Sequence, residues 1–246
     1  FYSARVNVKG ASYSKTTFNL QIDPAAKNTA ASLNNLLTDA YLDLGYLKGH
    51  TIRLGQFKLP FGLENPISDA KLYTINTSVV KNTSINTRDI GVDIFAKQPK
   101  YEYHVAVVNG AGANKNDNNT KKDVMANFQL NHNNMVVGVA MISSPGASTQ
   151  TTLRHGADGY FAMKADWGEF NFEYMKGTDA AAAKRKGWYA MAMPKLNGRT
   201  WLVLRHERYD PNTAAAVSSE IKRTTDGLLY LTSKYSRVKA NYEWRT

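Results

Sequence analysis

Six side chains clustered in one part of this chain have the chemistry to hold an anion. Arg53, Lys58, Lys71, Lys81 and Arg88 are cations, Tyr73 adds a phenolic donor, and Glu64 and Asp69 are the only acids from Leu59 to Thr87. Arginine offers a planar fork that grips phosphate through two bonds, whereas lysine supplies a point charge. A second reading of the same residues stays open. In it Gln56, Phe57, Pro60 and Phe61 pin the stretch to its surroundings, while Arg53 and Arg88 pair with Asp89, Asp93 or Asp43. Catalytic chemistry has little to stand on. The five histidines, His50, His104, His132, His155 and His206, fall in separate segments, and none has the spacing of a zinc helix. Neither a Gly-x-Ser-x-Gly elbow nor a Gly-rich phosphate loop occurs. With no cysteine, thiol catalysis, disulfides and thiolate-bound metals are excluded. Asp117, within Asn114 to Thr120, lacks the glycine and terminal glutamate of a calcium loop. No enzyme activity, metal or cofactor is expected.

The elements that must position these residues are strands. Apolar and polar residues alternate with period two almost throughout, as in Phe18, Leu20 and Ile22, in Ile90, Val92 and Ile94, and in Val238, Ala240, Tyr242 and Trp244. About 14 such segments of roughly eight to eleven residues suit strands tilted across a bilayer. Short turns, near Gly10 to Lys15, Leu47 to His50, Gln98 to Lys100, Asn131 to Asn134, Asp166 to Gly168, Lys195 to Gly198 and Ser233 to Ser236, alternate with longer connections. The long ones lie near Pro24 to Asn35, Leu59 to Thr87, Gly110 to Lys121, Ser143 to Gly156, Gly177 to Arg185 and Asp210 to Ile221. That alternation belongs to outer-membrane barrels, with short periplasmic turns and long extracellular loops. The strands carry polar residues on one face and apolar residues on the other, so the expected fold is an all-β, transmembrane antiparallel barrel with water inside and lipid outside. Tyr13, Tyr46, Tyr101, Tyr103, Trp167, Trp188, Tyr235 and Trp244 lie near strand ends, where an aromatic girdle belongs. The longest clean apolar run, Met135 to Ile142, is far short of a membrane helix. The whole of residues 1–246 reads as one barrel domain. Its first and last strands both place their outer ends on the extracellular side, so a further strand is expected at each end, giving 16.

The run Arg53-Leu-Gly-Gln-Phe-Lys-Leu-Pro-Phe-Gly-Leu-Glu64 resembles the phosphate- and pyrophosphate-selective porin O/P family, which carries an Arg-x-Gly-Gln-Phe-Lys-x-Pro-Phe run at the end of an early strand. Further matches follow in order: Ala4 to Gly10, Asp39 to Asp43, Arg88 to Val92, Val107 to Gly110 and Gly227 to Leu231. The resemblance implies a 16-stranded, trimeric diffusion channel for small anions in the outer membrane of a Gram-negative bacterium, in contact with lipid and lipopolysaccharide. It also implies that residues 59–87 fold into the lumen as a constriction, with Arg53, Lys58, Lys71, Tyr73, Lys81 and Arg88 around it. A barrel that scaffolds a partner complex and conducts little is the alternative.

The chain has 31 Lys and Arg against 20 Asp and Glu, a formal charge of +11. Nucleic acid would be one partner for such charge, but no recognised binding motif or basic helix accompanies it. Alternation points Arg5, Lys9, Arg53, Lys164, Arg205, Arg237, Lys239 and Arg245 inward, together with Asp39, Asp43, Asp89, Asp93, Asp123, Asp158, Glu169, Glu173 and Glu243. Those sets nearly cancel. The surplus is therefore expected in loops and turns, at Lys115, Lys121, Lys122, Arg154, Lys184, Arg185, Lys186, Arg199, Arg208, Lys222 and Arg223. Arg5, Lys9, Arg237 and Lys239 are the candidate lumen-wall cations.

Overall fold

The computed structural model describes residues 4–25, 36–145, 153–215 and 219–246. Its strands are β1 (Val6–Tyr13), β2 (Thr16–Ile22), β3 (Leu37–Leu44), β4 (Thr51–Lys58), β5 (Arg88–Lys97), β6 (Tyr101–Val108) and β7 (Asp123–His132). There follow β8 (Met135–Ser143), β9 (Leu153–Ala165), β10 (Gly168–Asp179), β11 (Lys184–Pro194), β12 (Thr200–Asp210), β13 (Ile221–Leu231) and β14 (Arg237–Arg245). Each pairs antiparallel with its sequence neighbours in one 14-stranded sheet. Such nearest-neighbour pairing is what tight turns permit, and it satisfies the backbone without water. Between β4 and β5 lie a 3₁₀ turn (Asp69–Lys71) and a short helix α1 (Val79–Ser84).

Connections at one end are short, as at residues 14–15, 133–134 and 166–167, and most of those at the other end are long. The exception is residues 180–183. Gly177 to Asp179 and Lys184 to Arg185 continue β10 and β11 as a paired ladder, so the expected loop there contracts to a turn. Most of the expected loop Pro24 to Asn35, and parts of Ser143 to Gly156 and Asp210 to Ile221, lie outside the described residues.

Alternation fixes the two faces. Val105, Val107, Phe128, Val137, Val139, Leu204 and Leu228 are exposed on the outer face, while Asp93, Met125, Asn127, Glu173 and Arg205 are buried on the inner one. Tyr13, Tyr46, Tyr101, Trp167 and Tyr235 are exposed near the short-turn end; near the other, Trp244 is exposed and Trp188 half-buried. The inner face is not uniformly polar, as alternation suggested. Met125, Ala140, Ile142, Leu153, Met175, Met191, Met193, Val203 and Leu229 form an apolar patch across β7–β13, packed against Phe57, Leu59, Phe61, Val79, Val80 and Ile85. A segment that enters the lumen needs a surface on which to bury its own apolar residues, and this patch provides it.

Two inner glycines among the described residues, Gly138 and Gly187, sit beneath aromatic rings. At Gly138, paired with Tyr160, a Cβ would lie 2.2 Å from the tyrosine ring, whose hydroxyl donates to Asn127 Oδ1 at 2.8 Å. Gly138→Val should therefore displace the ring and destabilise the barrel by about 1–3 kcal/mol, read as a lower thermal unfolding midpoint in detergent.

Candidate functional site

Residues 59–87 leave the wall at β4 and cross to the opposite side. Their neck is closed where the Leu59 N–H donates to Thr87 O at 3.1 Å and Asn65 Nδ2 donates to both Leu59 O and Thr87 O. From there the Leu63 N–H reaches Glu173 on β10 (3.1 Å), Tyr73 Oη donates to Glu169 (2.6 Å), and the Ile75 N–H reaches Asn241 on β14 (2.6 Å). Burial and Glu169 both hold the Tyr73 phenol above its ordinary pKa. A single segment touching β10 and β14 while rooted in β4 and β5 must lie inside the curve of the sheet.

Its firmest anchor is a buried network. Arg205 Nε lies 2.9 Å, and Arg223 Nε 2.6 Å, from Glu207 Oε1; Glu64 and Glu243 complete the group within 3.7 Å. Arg205 donates to Thr74 Oγ1 and Asn76 O, and Arg223 to Thr77 O. The Val79 N–H at the start of α1 donates to Glu207 Oε2 (2.5 Å), and Ser78 accepts from the Lys81 N–H, so carboxylate and hydroxyl together cap the helix. Buried charges are tolerated only when paired and hydrogen-bonded; every charge here is ion-paired, and among the buried atoms of the group only Glu64 Oε1 and Arg205 Nε lack a hydrogen bond.

The second anchor is Asp69. Its Oδ2 accepts from Arg5 Nη2 at 2.7 Å, its Oδ1 lies 3.2 Å from Lys81 Nζ and 3.7 Å from Lys58 Nζ, and its backbone oxygen accepts from Lys239 (3.1 Å). This one residue thus gathers cations from both edges of the sheet, from β4 and from α1, three of them at its carboxylate and Lys239 at its backbone oxygen. Burial alone would raise its pKa, but Lys58, Lys81 and Arg5 outweigh that and hold it below the usual carboxylate range.

Of the sequence candidates, Arg53 forms a two-bond pair with Asp43 (2.7 and 2.9 Å) and stacks 4.0 Å from the Tyr41 ring centroid. Arg88 pairs with Asp39 at 2.8 Å, not with Asp89, Asp93 or Asp43. Asp89 is instead taken by the backbone N–H groups of Ile90 and Gly112, and Asp93 by His104. Lys71 is exposed in the 3₁₀ turn and its carbonyl accepts from Arg237 (3.1 Å). Among the described residues Lys9, Lys71, Arg237 and Lys239 form no ion pair with a carboxylate.

Three cavities lie in the lumen beside the segment. One cavity of about 500 Å³ has mixed charge, with Lys71, Lys97 and Lys164 facing Asp93, Glu102 and Glu169. A second, of about 300 Å³, is lined by Arg5, Lys9, Arg53, Lys58, Lys71 and Arg88, with Asp39 its only acid. A third, of about 330 Å³, gathers Arg5, Lys58, Lys81, Arg88, Arg223 and Arg245 around Asp69. Lys58, Lys71 and Arg88 therefore share one space, while Tyr73 lies towards the mixed side and Lys81 towards the third.

Glu64, Asp69, Glu207 and Arg223 are the anchors that sequence reasoning undervalued. Arg205-x-Glu207 and Arg223-x-Thr225 have the alternation of inward pairs, which could have revealed them. Arg154, Lys184, Arg185, Lys186, Arg208, Lys222 and Arg223, expected in loops, lie within strands, because the strands run beyond the apolar band. Two outward histidines also gain hydroxyl neighbours, His206 with Thr224 (2.9 Å) and His155 with Ser143 (3.3 Å).

A sheet with a lipid-facing apolar exterior, a charged lumen and a segment folded inside it defines an outer-membrane porin. The chain belongs to the family described as phosphate-selective porin O and P, whose model matches residues 1–162. The fold is similar to that of the anion-selective porin from Comamonas acidovorans, with a TM-score of 0.69 at 10% identity over 98% of this chain and 78% of that one. It is also similar to a substituted Rh. blastica porin (0.68, 13%, 98% and 84%) and to OmpT, an outer membrane protein of Vibrio cholerae (0.66, 10%, 99% and 79%). No curated protein matches the sequence.

Because the folded pKa of Asp69 is depressed, its ion pairs contribute fully above the ordinary carboxylate value of about 4 and are lost only as pH falls through the depressed value. Wild-type single-channel current should therefore stay quiet as pH is lowered to about 4, whereas Asp69→Asn should flicker across the whole range.

Proposed function

We propose that this porin is a passive diffusion channel for small anions, and that residues 59–87 form its constriction. The observation that carries the reading is the second cavity, where six cations face a single carboxylate. A fixed positive field at a narrow point replaces part of the hydration an anion loses there, while repelling cations. Arg53 and Arg88 are largely neutralised by Asp43 and Asp39 and shape the wall. Among the described residues Lys71, Lys9, Arg237 and Lys239 have no carboxylate partner and so face the passing ion, and the group at Asp69 adds Arg5, Lys58 and Lys81 against two acids, Asp69 and the Asp23 that also pairs with Arg5. Membership of the family and the likeness to an anion-selective porin support the same direction.

Phosphate or pyrophosphate is the finer substrate proposed, since the arginines and lysines of this space offer both forks and point charges. The channel works without catalysis or cofactor, and its assembly is proposed to be a homotrimer. Phosphate should compete with chloride current; failure to do so would reduce the reading to a general anion pore.

Lys71 and Lys239 make the cleanest test, because their removal strands no acid. An uncancelled charge about 4 Å from an ion is worth about 1 kcal/mol in water, about fivefold in relative permeability. Lys71→Gln with Lys239→Gln should lower the anion-to-cation permeability ratio by at least about that factor, read from the zero-current potential in a salt gradient. A wild-type potential favouring cations would overturn the proposal.

A further inference from the structure

Two acids of the lumen wall stand together without a cation. Asp158 on β9 and Glu173 on β10 are inward residues, 3% and 2% exposed. Both carboxyls close around Gly62 of the inward segment. At the point where a Cβ of that glycine would stand, Glu173 Oε1 is 2.2 Å away and Asp158 Cγ 3.7 Å. Gly62 also holds φ +70, so the approach needs a residue without a side chain. Glu173 Oε1 accepts from the Leu63 N–H at 3.1 Å. Asp158 Oδ1, Asp158 Oδ2 and Glu173 Oε2 are buried with no hydrogen-bond partner, and among the described residues neither acid forms an ion pair. Buried polar atoms in that state call for a bound species.

The neighbours narrow down what it is. Glu173 pairs in register with Tyr160 and Tyr189, and Asp158 with Ala140 and Met175. Tyr160 turns its hydroxyl away, towards Asn127 and Gln129. From the segment comes a third acid, Glu64, which Arg205 on β12 approaches to 3.6 Å. A calcium ion would need about six to eight oxygens, and among the described residues no three acid or histidine side chains are placed to hold a metal. A hydrogen between two carboxyls needs only the two of them.

We propose that Asp158 and Glu173 bind one proton between them, and that this shared proton latches Gly62 and Leu63 of the constriction to the β9–β10 wall. The latch rests on residues 59–87 being the constriction. With the proton in place the pair carries a single negative charge, one carboxyl donates to the other, and Glu173 keeps the Leu63 N–H. When the proton passes to water, three acids including Glu64 crowd around Gly62 in a space that screens their repulsion poorly. The segment then loosens here while Arg205 and Arg223 still hold it at Thr74, Asn76 and Thr77. The channel should flicker between two widths.

The test uses the purified full chain and two readouts. Infrared difference spectra taken from about pH 6 to about pH 9, a range in which buried carboxyls are known to release protons, should show a protonated-carboxyl C=O band that disappears on the alkaline side and is absent from Asp158→Asn. Over the same range the flicker rate of the wild-type single-channel current should rise at least about tenfold. Asp158→Asn, whose amide is a permanent donor to Glu173, should stay quiet throughout. Lumen lysines titrate in both proteins, so the difference between them isolates the pair. Glu173→Gln, which keeps an acceptor for the Leu63 N–H, repeats the measurement. Absence of the band from wild type, or its persistence in Asp158→Asn, would overturn the shared proton; a band that is lost while the current stays equally steady in both proteins would overturn the latch. Flicker induced at neutral pH by a chelator and stopped by calcium would assign the site to a metal ion and overturn both. The band is read without ion flow, so failure of the constriction reading, seen as unchanged conductance once the segment is removed, is distinguishable from failure of the proton site.

Discussion

Arg205 and Arg223 reach inward from β12 and β13 to the backbone carbonyls of Asn76 and Thr77, and Glu207 between them receives the first N–H of α1. The arrangement of the lumen depends on this clasp. A segment as long as residues 59–87 carries many backbone donors and acceptors, and in a narrow space each must find a partner or cost desolvation energy. Paired arginine and glutamate side chains on the wall supply those partners. The methionines, Val203 and Leu229 beside them supply an apolar bed for Phe61, Val79 and Val80. Burying the clasp is itself costly, so its value lies in fixing one position for the segment more than in net stability.

With the segment held against the β7–β13 side, the mixed-charge cavity reaches across to β7–β11, while a cationic space lies along β1–β5. There Asp69 draws Arg5, Lys58 and Lys81 together, and Asp39 and Asp43 hold Arg88 and Arg53 upright against the wall. The segregation of charge follows from geometry. Acids concentrate where the segment is anchored, at Glu64, Asp158, Glu173 and Glu207, all buried. Cations without a carboxylate are left facing the open cavity.

Much of the barrel was legible because a strand writes its two faces into alternate residues. Val238, Ala240, Tyr242 and Trp244 announce the outer face of β14 without any knowledge of its neighbours. The cation set around residues 53–88 was legible for a different reason, since its charge stood beside an otherwise structureless stretch. Partners were not legible. Arg88 chose Asp39 over nearer acids because Asp89 was consumed by backbone N–H groups from residues 90 and 112, a contact that only tertiary structure reveals. Strand ends were read short as well. Polar residues such as Lys186 and Arg208 resemble loop, yet an outer-membrane strand continues past the hydrocarbon and carries charge there. The apolar patch of the lumen was hidden because Met191 and Met193 alternate with Ala190 and Ala192, where apolar residues on both faces give no sign of which is wet.

The central claim is that residues 59–87, docked in the lumen, set both the width and the ion preference of the channel. The direct measurement is the single-channel conductance and zero-current potential of a variant in which residues 63–84 are replaced by a short Gly/Ser linker joining the neck near Leu59 and Thr87. The account predicts a wider channel, with conductance raised severalfold and the anion preference largely lost. Unchanged conductance together with unchanged selectivity would contradict it.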